Sequence, residues 1–276
     1  MLFRSILQSI AAKLEDGSPC CEWIGPGGAG HYVKMVHNGI EYGDMELIAE
    51  AYSMLKKRTG LDNDGLGDIF ELWNRGELNS FLIEITSHIL HYKEENGDYL
   101  LDHILDVAGQ KGMGKWSVMA ALDEGDPLTL VSEAVFARFM SSLVNERERA
   151  SVQYPSGKVG DMEACITLNT SGIEAVRDAL YAAKLISYAQ GFSLMRRASE
   201  RNGWNLDYGT IAKIWRKGCI IRSVFLERIT QAFTKSPGLQ NLLFDAFFHE
   251  RMENALPALR GVVVDCVFNG IAAPCF

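Results

Sequence analysis

No two cysteines in this chain have the CxxC spacing of a metal site. The six thiols, Cys20, Cys21, Cys165, Cys219, Cys266 and Cys275, are also sparse for a disulfide scaffold. Reduced cysteines in a cytoplasmic compartment are therefore expected. No stretch reaches the ~18 apolar residues that a membrane span needs. Arg4 interrupts the apolar start that a signal peptide would require. Positive charge is in deficit: the net charge of -8 leaves no general basic surface for nucleic acid or for an anionic membrane. A small anion remains possible where cations gather locally. Alternating strands and helices are missing as well, which excludes a doubly wound sheet.

What is present is helical periodicity. With 47% hydrophobic and 22% charged residues, the chain can bury a real core. At roughly 150 residues per domain, its length suits one large domain or two small ones. Residues 2–14 form an amphipathic pattern. Residues 31–58, 64–93, 99–109, 131–148, 171–202, 207–234, 237–248 and 250–270 all read as helices. A short extended piece at Trp23–Ile24 is the one candidate strand. Turn chemistry places breaks near Gly17–Pro19, Gly60, Asn96–Gly97, Gly125–Pro127, Pro155–Gly157 and Ser236–Gly238. The expected fold class is all-α.

The pattern also echoes itself. IFELWNRG (69–76) and IAKIWRKG (211–218) share I-x-x-[L/I]-W-x-[R/K]-G, with Trp73 and Trp215 in matching places. VKMVHNGIEYGDM (33–45) similarly faces AKLISYAQGFSLM (183–195), with Lys34 opposite Lys184. Two similar spacings in the same order predict duplicated helical halves, about 31–150 and 171–270. In the second half Ser187, Tyr188 and Gly191 stand where the first has His37, Asn38 and Glu41. One copy would then be functional and the other architectural.

Two glycine motifs mislead. GPGGAG (25–30) fits G-x-G-x-x-G, but a helix with no second strand follows it, against a dinucleotide fold. GQKGMGKW (109–116) nearly matches a phosphate loop, but Trp116 stands where a metal-binding hydroxyl is needed. Lys111 and Lys115 among its glycines still make a flexible loop able to close over an anion. Arg138, taken by itself, reads as a helix-surface arginine pairing with Glu133. More telling is the face Lys34, His37, Asn38 and Glu41, spaced i, i+3, i+4 and i+7 on one helix. Tyr32, Val36 and Ile40 lie on the other side. His and Asn are poor helix formers for a plain solvated face. A neutral lysine can serve as general base and a protonated glutamate as general acid.

GGAGHYVKMVHNGIEYGDM, GQKGMGKW, SEAVFARF, YAAKLISYAQGF, IWRKGCIIRS and PGLQNLLFDAFF, in that order, resemble the helical domain of the 6-phosphogluconate dehydrogenase family. The resemblance spans nearly the whole chain, so residues 1–276 are expected to be one domain of this type, and the family's two similar helical halves match the echo. Gly28, Gly30, Lys34 and Asn38 belong to a pattern shared with the wider β-hydroxyacid dehydrogenases. His37, Glu41, Tyr42 and the QKG loop narrow it to this branch.

The resemblance implies roles. Lys34 would be the general base and Glu41 the general acid. His37 and Asn38 would bind the sugar acid, and Tyr42, Lys111 and Arg138 its phosphate. The implied reaction is NADP-dependent oxidative decarboxylation of 6-phosphogluconate to ribulose 5-phosphate, in the pentose phosphate pathway, without a metal. Lys34 takes the C3 hydroxyl proton, carbon dioxide leaves the 3-keto acid, and Glu41 protonates C1 of the enediol. A homodimer is implied too. The family's N-terminal dinucleotide domain and its C-terminal tail have no counterpart here, so a chain that does not turn over alone is expected. Met113 replaces a usual threonine and Lys217 a usual small residue. Two other readings compete: a β-hydroxyacid dehydrogenase relative with another substrate, and a non-catalytic helical self-association module. Lys111 and Arg138 speak against the first, because a substrate without phosphate would not need them.

Overall fold

The protein is described by a computed structural model covering residues 3–154 and 170–276. Cys165 and the expected break at 155–157 lie outside the described residues. Two long helices organise the rest: α2 (Ala29–Thr59) and α9 (Thr170–Asn202), packed along one another. α2 ends where Gly60 adopts φ +68, a left-handed cap that glycine tolerates without a Cβ clash. Lys56, Lys57 and Arg58 fill its last turn and suit the negative end of the helix dipole.

Twelve α-helices occur among the described residues, with no strand beyond isolated bridges, so the fold is all-α as expected. The segment 64–93 is two helices, α3 (Asn63–Trp73) and α4 (Phe81–His91). Apolar periodicity runs through the gap, but the local chemistry breaks it. The Asn74 side chain accepts from the Ser80 amide at 3.0 Å, and the Ser80 hydroxyl caps α4. The segment 207–234 likewise splits into α10 (Tyr208–Ile214) and α11 (Phe225–Lys235). Both splits follow the W-x-[R/K]-G motif. The two turns then pair, Phe81 N–H to Arg222 O and Val224 N–H to Asn79 O, each at 3.1 Å.

Other boundaries differ as well. The first helix, α1, covers only Arg4–Ile10, and Trp23–Ile24 is not a strand. The expected helix 99–109 shrinks to α5 (Leu100–His103), because the exposed Ile104 and the glycine-rich stretch after it have no core to pack on. A helix not expected from the sequence, α6 (Met113–Glu124), starts at Gly112, whose φ of +91 lets the chain turn sharply into it. The segment 131–148 becomes α7 (Thr129–Ser142) and α8 (Val144–Gln153). The last two expected helices are re-divided into a 3-10 turn (Leu242–Phe244) and one helix, α12 (Ala246–Phe268). Asp245 starts it by accepting from the Phe247 amide at 3.0 Å.

α6 and α7 pack on α2, and α12 packs on α9. Glycines allow the closest approaches. A Cβ on Gly191 would sit 2.6 Å from Ile40, and one on Gly43 would sit 2.8 Å from Ser187. Inside this contact the Lys184 ammonium meets the Asp44 carboxylate at 2.7 Å, both side chains essentially out of water.

Candidate functional site

The polar face of α2 is divided rather than uniformly solvated. Lys34 is exposed, Asn38 and Glu41 are half-buried, and His37 is only 3% exposed. Helical spacing brings them into two pairs. Lys34 Nζ lies 3.1 Å from His37 Nδ1, and Asn38 Nδ2 donates to Glu41 Oε2 at 3.2 Å. Burial, helped by the neighbouring Lys34 charge, pushes the His37 imidazole down to about 3, so it stays neutral near pH 7. Burial also raises the Glu41 carboxyl above its ordinary range, while Lys34 and Arg138 pull it partly back. A raised glutamate holds its proton more readily, which is what a general acid near neutral pH needs.

One turn beyond, Tyr42 is buried and the Arg138 guanidinium stacks over its ring at 3.8 Å. Arg138 comes from α7. It also donates to the Gly109 carbonyl at 2.6 Å and approaches Met45 Sδ at 3.6 Å. It therefore does not pair with Glu133; among the described residues it forms no ion pair. Its bond to Gly109 draws the 109–112 loop toward Tyr42. From the other end of that loop Gly114 presses on the same ring, so closely that a Cβ there would lie 2.6 Å from it. Lys111 sits between these two anchors, exposed, with no hydrogen bond or ion pair among the described residues. No side chain caps α6, so its first amides, beginning at Met113, are left without intrahelical partners. Lys115 lies on α6 itself, not in a loop, and points to solvent.

The expected residues thus gather along one side of α2: Lys34, His37, Asn38 and Glu41, then Tyr42 with Arg138, then the loop bearing Lys111. Lys184, opposite Lys34 in the echo, is the buried partner of Asp44 and takes no part. Sequence reading missed three supports. Trp215 meets His37 edge to face, with centroids 5.4 Å apart. Ser117 donates to the Met35 carbonyl at 2.9 Å and fills the space against Gly39. Cys219 lies near enough to Lys34 for that charge to act on its thiol. The echoed tryptophan motif was the one available signal, and it pointed only to architecture. Lys217, a departure from the family pattern, binds Glu15 at 2.7 Å and pins the N-terminal loop to the turn after α10.

These residues do not build a dinucleotide cradle. No strand leads into GPGGAG, and Gly25 packs on Ala29 and the Trp204 carbonyl of its own chain. Among the described residues no group of three or more His, Cys, Asp or Glu side chains is placed to hold a metal ion. An apolar groove of about 650 Å³, lined by Phe3, Leu7 and Trp23 among others, lies at α1 and includes none of the candidate residues.

A family model, "6-phosphogluconate dehydrogenase, C-terminal domain", matches residues 30–276. The decarboxylating 6-phosphogluconate dehydrogenase of Mus musculus is 53% identical over 273 residues, 99% of this chain and 56% of its own length. That of Shigella flexneri is 52% identical, across 100% of this chain and 58% of its own. The chain therefore spans little more than half the length of the curated relatives it matches. Among solved structures, Plasmodium falciparum 6-phosphogluconate dehydrogenase superposes with a TM-score of 0.92 at 42% identity, over 99% of this chain and 58% of that one. That enzyme is described in its apo form, with its cofactor NADP+ and with its substrate 6-phosphogluconate.

Proposed function

This chain belongs to the 6-phosphogluconate dehydrogenase family, and from that premise we propose that it is the substrate-binding and dimerisation part of an enzyme that oxidatively decarboxylates 6-phosphogluconate to ribulose 5-phosphate. The observation that carries this reading is the anion cradle: Arg138 stacked on Tyr42, the Lys111 loop tied to it through Gly109, and the uncapped start of α6 alongside. A phosphate suits that set, because a guanidinium fork, an ammonium and free helix amides all donate to it.

With the phosphate held there, the sugar acid extends back along α2 toward Lys34. Asn38 offers hydrogen bonds to its hydroxyl and carboxylate oxygens, while His37, sealed at Nε2 and in contact with Lys34 at Nδ1, lines the place where the sugar acid lies. Lys34, in its amine form, takes the C3 hydroxyl proton as C3 becomes a ketone. As carbon dioxide departs, the C3 carbonyl takes up the electron pair of the broken bond and the protonated Lys34 donates to its oxygen; Glu41 then delivers its proton to C1 of the enediol. The half-buried, raised carboxyl of Glu41 fits a proton donor. The oxidation also requires a hydride acceptor, NADP+ in the Plasmodium relative.

Self-association has support at α6 and α7. Trp116, Met119 and Leu122 are exposed on α6, and Phe136, Phe139 and Met140 are exposed on α7. So many large apolar side chains on adjoining helices suit a homodimer contact.

Calorimetric titration with 6-phosphogluconate tests the substrate assignment. Saturable binding is expected, weakened about tenfold or more by Arg138→Ala and by Lys111→Ala, since each removes a charged donor. Binding that neither substitution disturbs would remove the phosphate assignment.

A further inference from the structure

His37 is neutral, so one ring nitrogen carries hydrogen and the other does not, and the bond at one nitrogen decides the state of the other. Lys34 Nζ lies 3.1 Å from Nδ1. An ammonium there can only donate, which makes Nδ1 the acceptor and puts the ring proton on Nε2; an amine could also accept, so once Lys34 is neutral something else must hold the tautomer. That Nε2 is buried and has no hydrogen-bonding partner among the described residues. What lies beside the ring is Trp215, with centroids 5.4 Å apart and planes at 79°. This edge-to-face arrangement lets a ring N–H point into an aromatic face.

The indole is itself held firmly. Trp215 is buried, tilts against Phe192 at 5.6 Å, and has its carbonyl bound by the Cys219 thiol at 3.0 Å. Phe192 in turn stacks on Phe233 at 5.1 Å.

We propose that Trp215 is a positioning residue for the general base: its indole face receives the Nε2–H of His37 and so fixes the tautomer whose Nδ1 accepts from Lys34. This inference rests on the role of Lys34 proposed above. The tautomer matters because the lysine has a single lone pair once neutral. With Nδ1 as acceptor, Lys34 spends an N–H on His37 and keeps the lone pair free for the substrate hydroxyl. With the opposite tautomer, Nδ1–H would donate into that lone pair and occupy the base. Trp215 lies in the second copy of the echoed motif, so the second half would discipline the chemistry of the first without touching substrate.

Nitrogen-15 labelling of the histidines in this chain tests the idea, the His37 ring signals being assigned by their loss in His37→Asn. In the unmodified chain His37 is expected as a single neutral tautomer, protonated at Nε2, with ring protons shifted upfield by the indole. Trp215→Leu is expected to abolish the upfield shift and give mixed tautomers, while Trp215→Phe, which keeps a π face, retains the Nε2–H form. Protonation at Nδ1 or a mixture in the unmodified chain overturns the proposal, whether or not any variant folds. So does an unchanged tautomer in a folded Trp215→Leu chain. A 6-phosphogluconate titration of the same samples keeps the two readings apart. Binding with the wrong tautomer defeats only the role of Trp215. The expected tautomer without binding upholds that role and counts against the substrate assignment alone.

Discussion

Lys34 and His37 stand one helical turn apart, yet one faces water and the other is nearly sealed from it. Spacing alone places both on a single face, because it cannot register what packs over that face. Here the cover is Trp215, from a distant helix end. Arg138 teaches the same lesson in reverse. Its sequence neighbours suggested a glutamate partner, whereas its contacts are the Tyr42 ring and the Gly109 carbonyl. Glu50 shows how strongly burial governs one carboxyl. Both of its oxygens accept from the Cys275 amide, at 3.0 and 3.2 Å, and burial pushes it up to about 8. Its value in an unfolded chain is about 4.3, so the folded state binds this proton more tightly. Its stabilising contribution is therefore full below about pH 4 and is lost as pH rises toward the folded value. Glu50→Gln is expected to flatten the fall in urea midpoint between about pH 5 and about pH 8 relative to the unmodified chain. Parallel pH profiles for the two proteins would contradict this.

At the scale of elements, the long helices α2 and α9 were legible to within a residue or two, since an apolar stripe sustained over many turns leaves little choice. Shorter elements were not. Periodicity bridged the gaps in 64–93 and 207–234, where the Asn74 side chain accepts from the Ser80 amide in the first and a turn with a left-handed Gly218 follows α10 in the second. α6 was hidden by a glycine-rich start that reads as loop. Glycines on α2 make a matched experiment. At Gly30 an added Cβ meets nothing within 4 Å, but at Gly39 it would lie 2.8 Å from Ser117 Oγ and 3.2 Å from Val131. Helix propensity favours alanine over glycine by roughly 1 kcal/mol. Gly30→Ala should therefore raise the urea midpoint. Gly39→Ala should lower it, as overpacking costs about 1–3 kcal/mol and outweighs propensity. Gly39 lies between Asn38 and Glu41, so the same substitution should also weaken 6-phosphogluconate binding. Equal stabilisation by both substitutions would mean that α6 is not packed tightly on α2.

For the whole molecule, the homodimer proposed through α6 and α7 is open to a direct measurement. Sedimentation equilibrium is expected to give about twice the 30.6 kDa chain mass, and Leu122→Glu with Phe136→Glu should return it to a monomer, because charges buried in an apolar contact are costly. A monomer in the unmodified chain would remove the proposal. By itself, the sequence determined the all-α class, the two long helices and the cluster of chemically active residue types on α2. These follow from periodicity and local propensity, which act between near neighbours. Tertiary structure alone decided which of two matching lysines remained available. Lys184 and Lys34 have equivalent places in the echoed pattern, but Asp44 captures Lys184 in the α2–α9 contact, whereas Lys34 keeps its amine at the surface beside a buried, neutral histidine. That difference depends on which helix faces are pressed together, and no run of neighbouring residues encodes it.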